Sequence, residues 1–534
     1  MATMSLNQVA DWSTTYQRGK RIRKVVVSIL CILIVSLSET VLADGYRGGV
    51  REALGQRFTT AANTATVSIR PQHHGSGLLA RLRYWNQIAI NCSGLDHTPV
   101  PAGESRVFGE QLGPGRASRA MAIVHIAMFD AINAIAGGYR SYTGVSSLAG
   151  SPSSMDAAIA QAAHDTLIAL FPSQQAILDQ LLAEDLSLIT GTSASAKTNG
   201  IDLGQRAASA ILARRSSDGS QHIEPRVGVD FIASNEPGKW RQDPISQIPL
   251  ALGARWGAVN PFVLRSVVEF RVPPPPPMDS AQYAAAFDEV KRLGGDGSVT
   301  PSVRTEAQKA IGIFWAYDGT PSLCAPPRLY NQIAVQIADQ RGSNVVATAR
   351  LLALVNVAMA DAGIAIWESK YHYQFWRPVT GMREADTGTG PTGVGDGNTA
   401  TFADATFMPL GAPASNLNGP NFTPPFPAYP SGHAGFGGAL FQILRRFYGT
   451  DRIAFTFVSD ELNGVTLDSN GSVRPRVPRS FASLSQAEEE NGQSRIYLGI
   501  HWSFDKTEGI AQGRRVADAV FRKAFAPLRR AGDE

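Results

Sequence analysis

Cysteine is nearly absent from this chain of 534 residues, which contains only three. No two of them form a Cys-x-x-Cys pair, which excludes a zinc ribbon and a thioredoxin-like redox motif. Cys31 lies in an apolar N-terminal run. Cys92 and Cys324 either pair in an oxidising compartment or remain separate buried thiols.

Charge is also sparse, since only 18% of the residues are charged and the formal net charge is +4. No basic block occurs outside the N-terminus, so the sequence predicts no nucleic-acid partner. Hydrophobic residues make up 44% of the chain, which excludes disorder by composition and allows a sizeable core. At this length we expect two domains or one large helical array.

The N-terminus has the pattern of an export signal. Five basic residues between Arg18 and Lys24 precede the apolar run 25–37 (VVVSILCILIVSL), and a cleavage-like site ends at Ala43. We expect a signal peptide over residues 1–43 and a secreted or periplasmic protein, with an uncleaved membrane anchor as the alternative. We expect no second segment long enough to span a bilayer, so no membrane association is predicted after cleavage.

The rest of the chain has helical spacing, and the strand-type alternation of β-branched residues is scarce. Helices are predicted at residues 116–135, 155–171, 173–189, 194–214, 281–293, 303–317, 328–340 and 345–371. Residues 272–280 (VPPPPPMDS) predict a stiff extended connector. We take it as the boundary between an N-terminal helical half, 44–271, and a C-terminal half, 281–534. A surface loop within one domain is the alternative.

The C-terminal half holds three segments with unusual residues, and the first is 370–378 (KYHYQFWRP). Lys370 and Arg377 are seven residues apart, or two helical turns, so both can project from one helix face. Pro378 biases Arg377 away from helical geometry and predicts that the helix ends there. The aromatic neighbours indicate burial, and buried cations need an anionic partner. Two solvated cations at a helix end are the alternative.

The second segment is 426–439 (FPAYPSGHAGFGGA). Prolines stiffen the approach, and Ser431 suits the N-cap of a helix over 434–448. Gly432 and His433 then lie at a helix N-terminus, where free N–H groups favour an anion. A capped helix with a chance histidine is the alternative. Glycine is costly inside a helix, so close packing against a neighbour is predicted at Gly435, Gly437 and Gly438.

The third segment is 494–505 (SRIYLGIHWSFD). Arg495 and His501 are six residues apart and do not share an ideal helix face, but Gly499 between them can loosen the turn. His501 and Asp505 are four apart and can face each other, so that the carboxylate orients the ring. An amphipathic helix with a core histidine is the alternative.

Together the three segments supply three cations, two histidines, a hydroxyl and a helix N-terminus. Several cations and N–H donors in one pocket suit a tetrahedral or trigonal-bipyramidal oxyanion of high charge. One histidine can then bond to the central atom while the other transfers protons.

The motifs K-x6-RP, PSGH and SR-x5-H-x3-D, in this order, resemble the signature shared by vanadium-dependent haloperoxidases and type 2 phosphatidic acid phosphatases. All three parts are intact, and the 60 residues between His433 and Ser494 resemble the longer gap of the haloperoxidases. Stretches such as WAYDG (315–319) and PPRLYNQIA (326–334) are similar to the vanadium chloroperoxidase branch. The similarity covers most of residues 301–505, whereas the N-terminal half retains RYWNQIAIN (83–91) and PGKW (237–240).

The resemblance implies an all-α fold of two four-helix bundles, with a vanadate site in the second. It implies that His501 is the residue bonded to vanadium and that His433 is the acid–base group beside the apical oxygen. The resemblance further implies that the vanadate oxygens are held by Lys370, Arg377, Arg495, the Ser431 hydroxyl and the Gly432 N–H.

The implied activity is that of a vanadium haloperoxidase, which oxidises chloride or bromide with hydrogen peroxide to hypohalous acid and so halogenates small organic acceptors. Lys370 would also polarise bound peroxide. Asp318 and Asp505 would support Arg495 and His501 respectively. Trp367 and Phe426 match an aromatic wall beside the halide site, and ordinary core aromatics are the alternative.

Two other functions remain open. An acid phosphatase of the same superfamily would use His501 as the nucleophile on phosphorus and His433 to protonate the leaving group. A non-catalytic oxyanion-binding protein would lack part of the signature, and no part is missing. A lipid phosphatase is disfavoured because those enzymes need several membrane spans.

Overall fold

A computed structural model describes residues 50–60, 68–71, 75–147 and 151–528. The predicted signal peptide therefore lies outside the described residues. The protein is mostly helical, with 49% helix and 7% strand, which confirms the all-α prediction.

The helices before the proline-rich connector include two that the sequence analysis did not predict, the first two in the chain. They are α1 (Val50–Leu54), α2 (Leu78–Asp96), α3 (Gly113–Ala136), α4 (Met155–Leu170), α5 (Gln175–Ser187) and α6 (Ala194–Arg215). Helix α4 packs against α2, α3 and α6. The longer of the two unpredicted helices is α2, which begins without a side-chain cap and buries Asn86 and Asn91 among its apolar residues. Its apolar stripe is therefore interrupted.

The helices after the connector include the long helix α10, which has 29 residues. They are α7 (Ala281–Leu293), α8 (Glu306–Phe314), α9 (Pro327–Gln340), α10 (Val345–Tyr373), α11 (Pro378–Arg383), α12 (Gly432–Tyr448), α13 (Leu484–Tyr497) and α14 (Ser503–Lys523). Helix α10 packs against α3, α9, α12 and α14. Helix α8 is shorter than the predicted 303–317 because Thr305 caps its start with Gln308 and the chain leaves the helix at Trp315.

Two small antiparallel pairs of strands accompany the helices. Strand β1 (Thr59–Thr60) pairs with β2 (Leu417–Asn418), and β3 (Phe455–Asn463) pairs with β4 (Arg476–Phe481). The β3–β4 hairpin lies between α12 and α13 and was not predicted. The first half of β3 alternates buried and more exposed residues, beginning at buried Phe455 and Phe457, and this period-2 pattern was the available signal.

One contiguous hydrophobic core includes residues from both sides of the proline-rich connector, since α3 packs on α10. Residues 272–280 contain no helix or strand. The phenols of Tyr373 and Tyr429 donate to the carbonyls of Val272 and Pro273, at 2.8 and 2.6 Å. Residues 272–277 are irregular chain and 278–280 form a turn and a bend, while the connector and the division into two halves and two bundles remain predictions.

Among the described residues, two helices are long and apolar enough to cross a membrane, Gly113–Ala136 and Val345–Tyr373. The expectation that no second segment has this length was therefore wrong. Their most apolar windows are 83% and 100% buried inside the protein, as in core helices. The absence of membrane association stays a prediction.

The two described cysteines do not pair. Cys92 and Cys324 are both buried and free, so the alternative of separate thiols is the one observed.

Candidate active site

The second motif begins α12 as predicted. Ser431 is its N-cap, with extended backbone, and Oγ accepts a hydrogen bond of 3.4 Å from the Ala434 N–H. The helix starts at Gly432, two residues earlier than expected, so Gly432 and His433 occupy its first turn. The Gly432 N–H therefore has no acceptor inside the helix.

The glycines of α12 allow its neighbours to approach closely. A Cβ at Gly435 would lie 2.4 Å from Cδ1 of Ile366, and one at Gly438 would lie 2.6 Å from the Ile510 carbonyl oxygen. A Cβ at Gly437 would meet Nδ2 of Asn491 at 2.3 Å. The predicted close packing is confirmed, and it brings α10, α13 and α14 against the helix that carries His433.

The first motif reaches the site by a different route from the one predicted. Helix α10 ends at Tyr373, Gln374 is left-handed (φ 52), and Arg377 is extended ahead of Pro378. The expectation that Lys370 and Arg377 share one helix face was therefore wrong. The turn between them, not helical periodicity, brings both side chains into the site.

Backbone carbonyls of the proline-rich approach to α12 orient both cations. Lys370 Nζ donates to the carbonyls of Pro427 and Ala428, at 2.7 and 2.9 Å. Arg377 Nε donates to the Phe426 carbonyl at 2.9 Å. The stiff proline-rich segment before α12 therefore orients the two cations and also leads into the helix.

The third motif is divided between two helices. Arg495 lies in the last turn of α13, the chain turns at Gly499 (φ 71), and His501 precedes α14. Asp505 lies in the first turn of α14, where Oδ2 accepts from the Trp502 N–H at 3.0 Å. Its backbone carbonyl accepts from the Ser431 N–H at 2.9 Å, which joins the second and third motifs.

The two ring contacts of His501 fit one tautomer of a neutral ring. Nδ1 is 2.8 Å from Oδ2 of Asp505, and Nε2 is 2.8 Å from Nη1 of Arg377. Because a guanidinium can only donate, Nε2 carries the lone pair and Nδ1 carries the proton. The predicted His501–Asp505 contact is present.

The ring of His433 is oriented by a contact of its Nε2. Nε2 contacts the Ala316 carbonyl oxygen, and since a carbonyl can only accept, Nε2 carries the proton. Its backbone carbonyl accepts from Tyr330 Oη and Asn491 Nδ2, both at 2.9 Å. The sequence analysis missed Ala316, Tyr330 and Asn491. The Ala316 contact is made by the backbone, which has no signal in the sequence.

Arg495 pairs with Asp318 but keeps donors free. Its Nη2 donates to both carboxylate oxygens of Asp318, at 2.7 and 2.8 Å. Nε and Nη1 are buried without a hydrogen-bond partner. A buried guanidinium N–H without a partner is costly, so this site is built for a further acceptor.

The electrostatics of the site favour an anion. Three buried cations, Lys370, Arg377 and Arg495, face the buried Asp505 and the carboxylate of Asp318, whose side chain is 4% exposed. Burial, followed by repulsion from Arg377, lowers the pKa of Lys370 well below its ordinary value. Burial also lowers the pKa of Arg377 to about 9. A bound anion would offset both effects.

The histidines and carboxylates respond to the same environment. Burial, then the charge of Arg495, lowers the pKa of His433 well below its ordinary value. Burial, then the charge of Arg377, does the same for His501. Burial raises the pKa of Asp505 to about 7 and raises that of Asp318 against the opposing charge of Arg495. Both histidines are therefore neutral around pH 7.

A small cavity of about 60 Å³ opens onto these groups. The predicted site residues on its wall are Asp318, Trp367, Phe426, Gly432, His433, Arg495 and His501. Its other walls are mostly apolar, and Trp367 packs edge-on to Phe426 with ring centroids 4.9 Å apart. Lys370 Nζ is 5.1 Å from the Phe426 ring centroid. All the predicted site residues therefore line the cavity or contact a residue that does.

Comparison with known proteins agrees with this geometry. Residues 350–530 match the family described as the VCPO second helical-bundle domain. The chain is 32% identical to a vanadium chloroperoxidase of Curvularia inaequalis, over 79% of this chain and 78% of that protein.

Two bacterial crystal structures have a similar fold. One is a vanadium-dependent iodoperoxidase, with a TM-score of 0.65 and 24% identity over 84% of this chain and 97% of that chain. The other is a vanadium-dependent chloroperoxidase in its holo form, with a TM-score of 0.55 and 18% identity over 77% of this chain and 92% of that chain. The chain therefore belongs to the vanadium haloperoxidase family, whose enzymes use a vanadate cofactor to oxidise halide with peroxide.

Proposed function

We propose that this enzyme oxidises chloride or bromide with hydrogen peroxide to hypohalous acid, which halogenates small organic acceptors. The observation that carries the proposal is the unprotonated Nε2 of His501 on the wall of a cavity that also exposes Arg495, whose Nε and Nη1 have no partner. A basic nitrogen beside buried cationic donors suits an oxyanion with a central atom that accepts a fifth ligand.

The residues present fit vanadate. His501 would bond to vanadium through Nε2, and Lys370, Arg377 and Arg495 would hold the oxygens. The Ser431 hydroxyl accepts the cap bond from Ala434 and so keeps its own proton free to donate. The Gly432 N–H supplies a further donor at the helix start. When bound, vanadate would act as a Lewis acid that activates peroxide.

His433 would handle protons. Its Nε2–H is directed to the Ala316 carbonyl, so Nδ1 is the atom that can accept a proton at the cavity. The neutral ring can take a proton from peroxide as it binds and return it when hypohalous acid leaves. Lys370 would add positive charge beside the oxygen atoms of the bound peroxide. Its Nζ lies 5.7 Å from the Trp367 ring centroid.

Phe426 and Trp367 would set the halide preference. Both line the cavity, and the Phe426 ring lies beside two cations, since its centroid is 5.0 Å from Cζ of Arg377 and 5.1 Å from Nζ of Lys370. An apolar wall excludes water and strengthens the field of the cations. Chloride is harder to oxidise than bromide and holds its water more tightly, so it needs this dry site more.

The test measures the vanadium content per chain. It also measures halide oxidation before vanadium is removed, after removal and after reconstitution. We expect about one vanadium per chain and halide oxidation that returns only with vanadate. Phosphatase activity without vanadate-dependent halide oxidation would instead support the acid phosphatase. Anion binding without either activity would support the non-catalytic alternative.

We also propose that residues 1–43 direct export to the periplasm or the exterior, on the strength of the basic and apolar pattern alone. N-terminal sequencing of the protein from its native host would test this. A mature N-terminus close to residue 44 is expected, and an intact Met1 in the cytoplasm would contradict it.

A further inference from the structure

The segment Phe314–Asp318 touches two groups of the active site in different ways. The Ala316 carbonyl orients His433, and the Asp318 carboxylate accepts two hydrogen bonds from Arg495. Tyr317, between them, has a left-handed backbone (φ 47), which is unfavourable for a residue with a side chain. Other contacts must therefore stabilise this backbone conformation of Tyr317, so that Ala316 can contact His433 and Asp318 can contact Arg495.

Strand β3 provides that support at three successive residues. Ser459 Oγ donates to the Phe314 carbonyl at 2.6 Å, and the Asp460 N–H donates to Tyr317 Oη at 2.6 Å. Oε1 of Glu461 accepts the Tyr317 N–H at 3.0 Å. This last contact is made by the backbone N–H of Tyr317, the residue with the left-handed conformation.

Glu461 is itself anchored on its other oxygen. Oε2 accepts from Ser415 Oγ at 2.6 Å and from Arg474 Nη1 at 2.5 Å. The residue is fully buried, and a buried carboxylate with fixed partners on both oxygens has little freedom to move. Its direction towards Tyr317 is therefore determined by the hairpin, because Arg474 lies between β3 and β4.

We propose that Glu461 is a positioning residue for the haloperoxidase reaction. It acts through Tyr317 to hold the Ala316 carbonyl where it keeps the proton of His433 on Nε2, and to hold Asp318 against Arg495. The β3–β4 hairpin, which occupies the long interval between the second and third motifs, thus supports the acid–base residue. The inference rests on the proposed role of His433.

The experiment compares Glu461→Gln and Glu461→Asp with a matched control, Glu490→Gln. Glutamine places an N–H₂ group towards either Arg474 or Tyr317, so one of these contacts is lost. Aspartate keeps the buried charge but is one methylene shorter. Glu490 supports the same segment through Trp315 Nε1 at 3.0 Å and pairs with Arg479, but it does not contact the peptide groups of 316–318.

The first readout is the ring tautomer of His433 in the vanadate-free protein, measured by NMR with histidine ¹⁵N labelling. Nine histidines are present, and loss of a signal in His433→Gln assigns the resonance. We expect a proton on Nε2 in the wild type and in Glu490→Gln, and a mixture of tautomers in the Glu461 variants. A wild-type ring protonated on Nδ1 would overturn the proposal without any variant.

The second readout is kinetic and uses the vanadate-loaded enzyme. We expect kcat for halide oxidation to fall about ten- to a hundredfold in the Glu461 variants, with a smaller change in the affinity of the vanadate-free protein for inorganic phosphate. If either folded Glu461 variant keeps the wild-type tautomer and kcat, the inference fails. A wild type without vanadate-dependent halide oxidation would reject the proposed function instead, and the tautomer measurement would still stand.

Discussion

Nη1 of Arg377 donates to Nε2 of His501 over 2.8 Å, and this contact keeps the ring nitrogen unprotonated. A guanidinium cannot accept a hydrogen bond, and its charge also opposes formation of an imidazolium next to it. On the opposite side of the ring, Oδ2 of Asp505 accepts a hydrogen bond of 2.8 Å from Nδ1–H. The residue proposed to hold a vanadate oxygen therefore also prepares the nitrogen proposed to bind vanadium.

His501→Ala is expected to abolish stable vanadate binding. It removes the proposed bond between protein and vanadium, whereas the three cations hold only the oxygens. Equilibrium dialysis with vanadate measures the loss, and circular dichroism checks that the helices remain. Affinity close to that of the wild type would reject His501 as the ligand.

His433→Ala is expected to retain vanadate but lose about a hundred- to ten-thousandfold in halide oxidation, the usual contribution of a positioned acid–base group. The side chain contacts the Ala316 carbonyl and lines the cavity, so its removal leaves the three cations in place. Vanadium content and turnover are measured on the same preparation. Parallel loss of both would contradict the division of roles between the histidines.

Phe426→His is expected to shift preference from chloride towards bromide while vanadate stays bound. The polar ring would admit water beside Lys370 and Arg377 and weaken their field on the reacting oxygens. The measurement is the ratio of turnover with chloride to turnover with bromide, at matched pH and saturating peroxide.

Phe422→His is the control for this prediction, because Phe422 lines the same cavity but packs against Phe58, with ring centroids 5.8 Å apart. It should leave the halide ratio unchanged. If the ratio is also unchanged in Phe426→His, then Phe426 is an ordinary core residue.

Acidification is expected to destabilise the vanadate-free protein through His433. Its folded pKa lies well below the unfolded value, so the unfolded state binds the proton first and this part of the stability is lost as pH falls below about 6.5. Between pH 7.5 and 5.5 the contribution is on the order of 1 kcal/mol. The stabilities of the wild type and His433→Gln are therefore compared at both pH values.

The expected sign is that the wild type loses more stability than His433→Gln over this interval. Comparing the two proteins cancels the opposite contribution of Asp505, whose raised pKa makes the folded state less stable as pH rises towards 7. Equal losses in both proteins would show that His433 is not held neutral by its surroundings.

Local features of the site were predictable because they depend on neighbours in the chain. The proline-rich approach, the cap at Ser431 and the small residues of α12 all involve short-range geometry, and the structure contains each of them. The longest helix was also placed within two residues, 345–371 against Val345–Tyr373, since its apolar pattern is continuous.

Errors arose where contacts between distant residues outweigh local preference. Lys370 and Arg377 were placed on one helix face, but Gln374 ends the helix, and Arg377 is fixed by carbonyls of Phe426 and Ile500. The β3–β4 hairpin was missed because the period-2 alternation is confined to the first part of β3 and the strand pairing is irregular between Val458 and Asn463.

The sequence by itself determined which chemical groups are available, in which order, and which of them start or end helices. Only the tertiary structure decided how they are used. The tautomer of each histidine depends on a partner far along the chain, Arg377 for His501 and the Ala316 carbonyl for His433. Side-chain identity sets what a group can donate or accept, but its protonation in a buried site is set by the charges and hydrogen bonds that folding places around it.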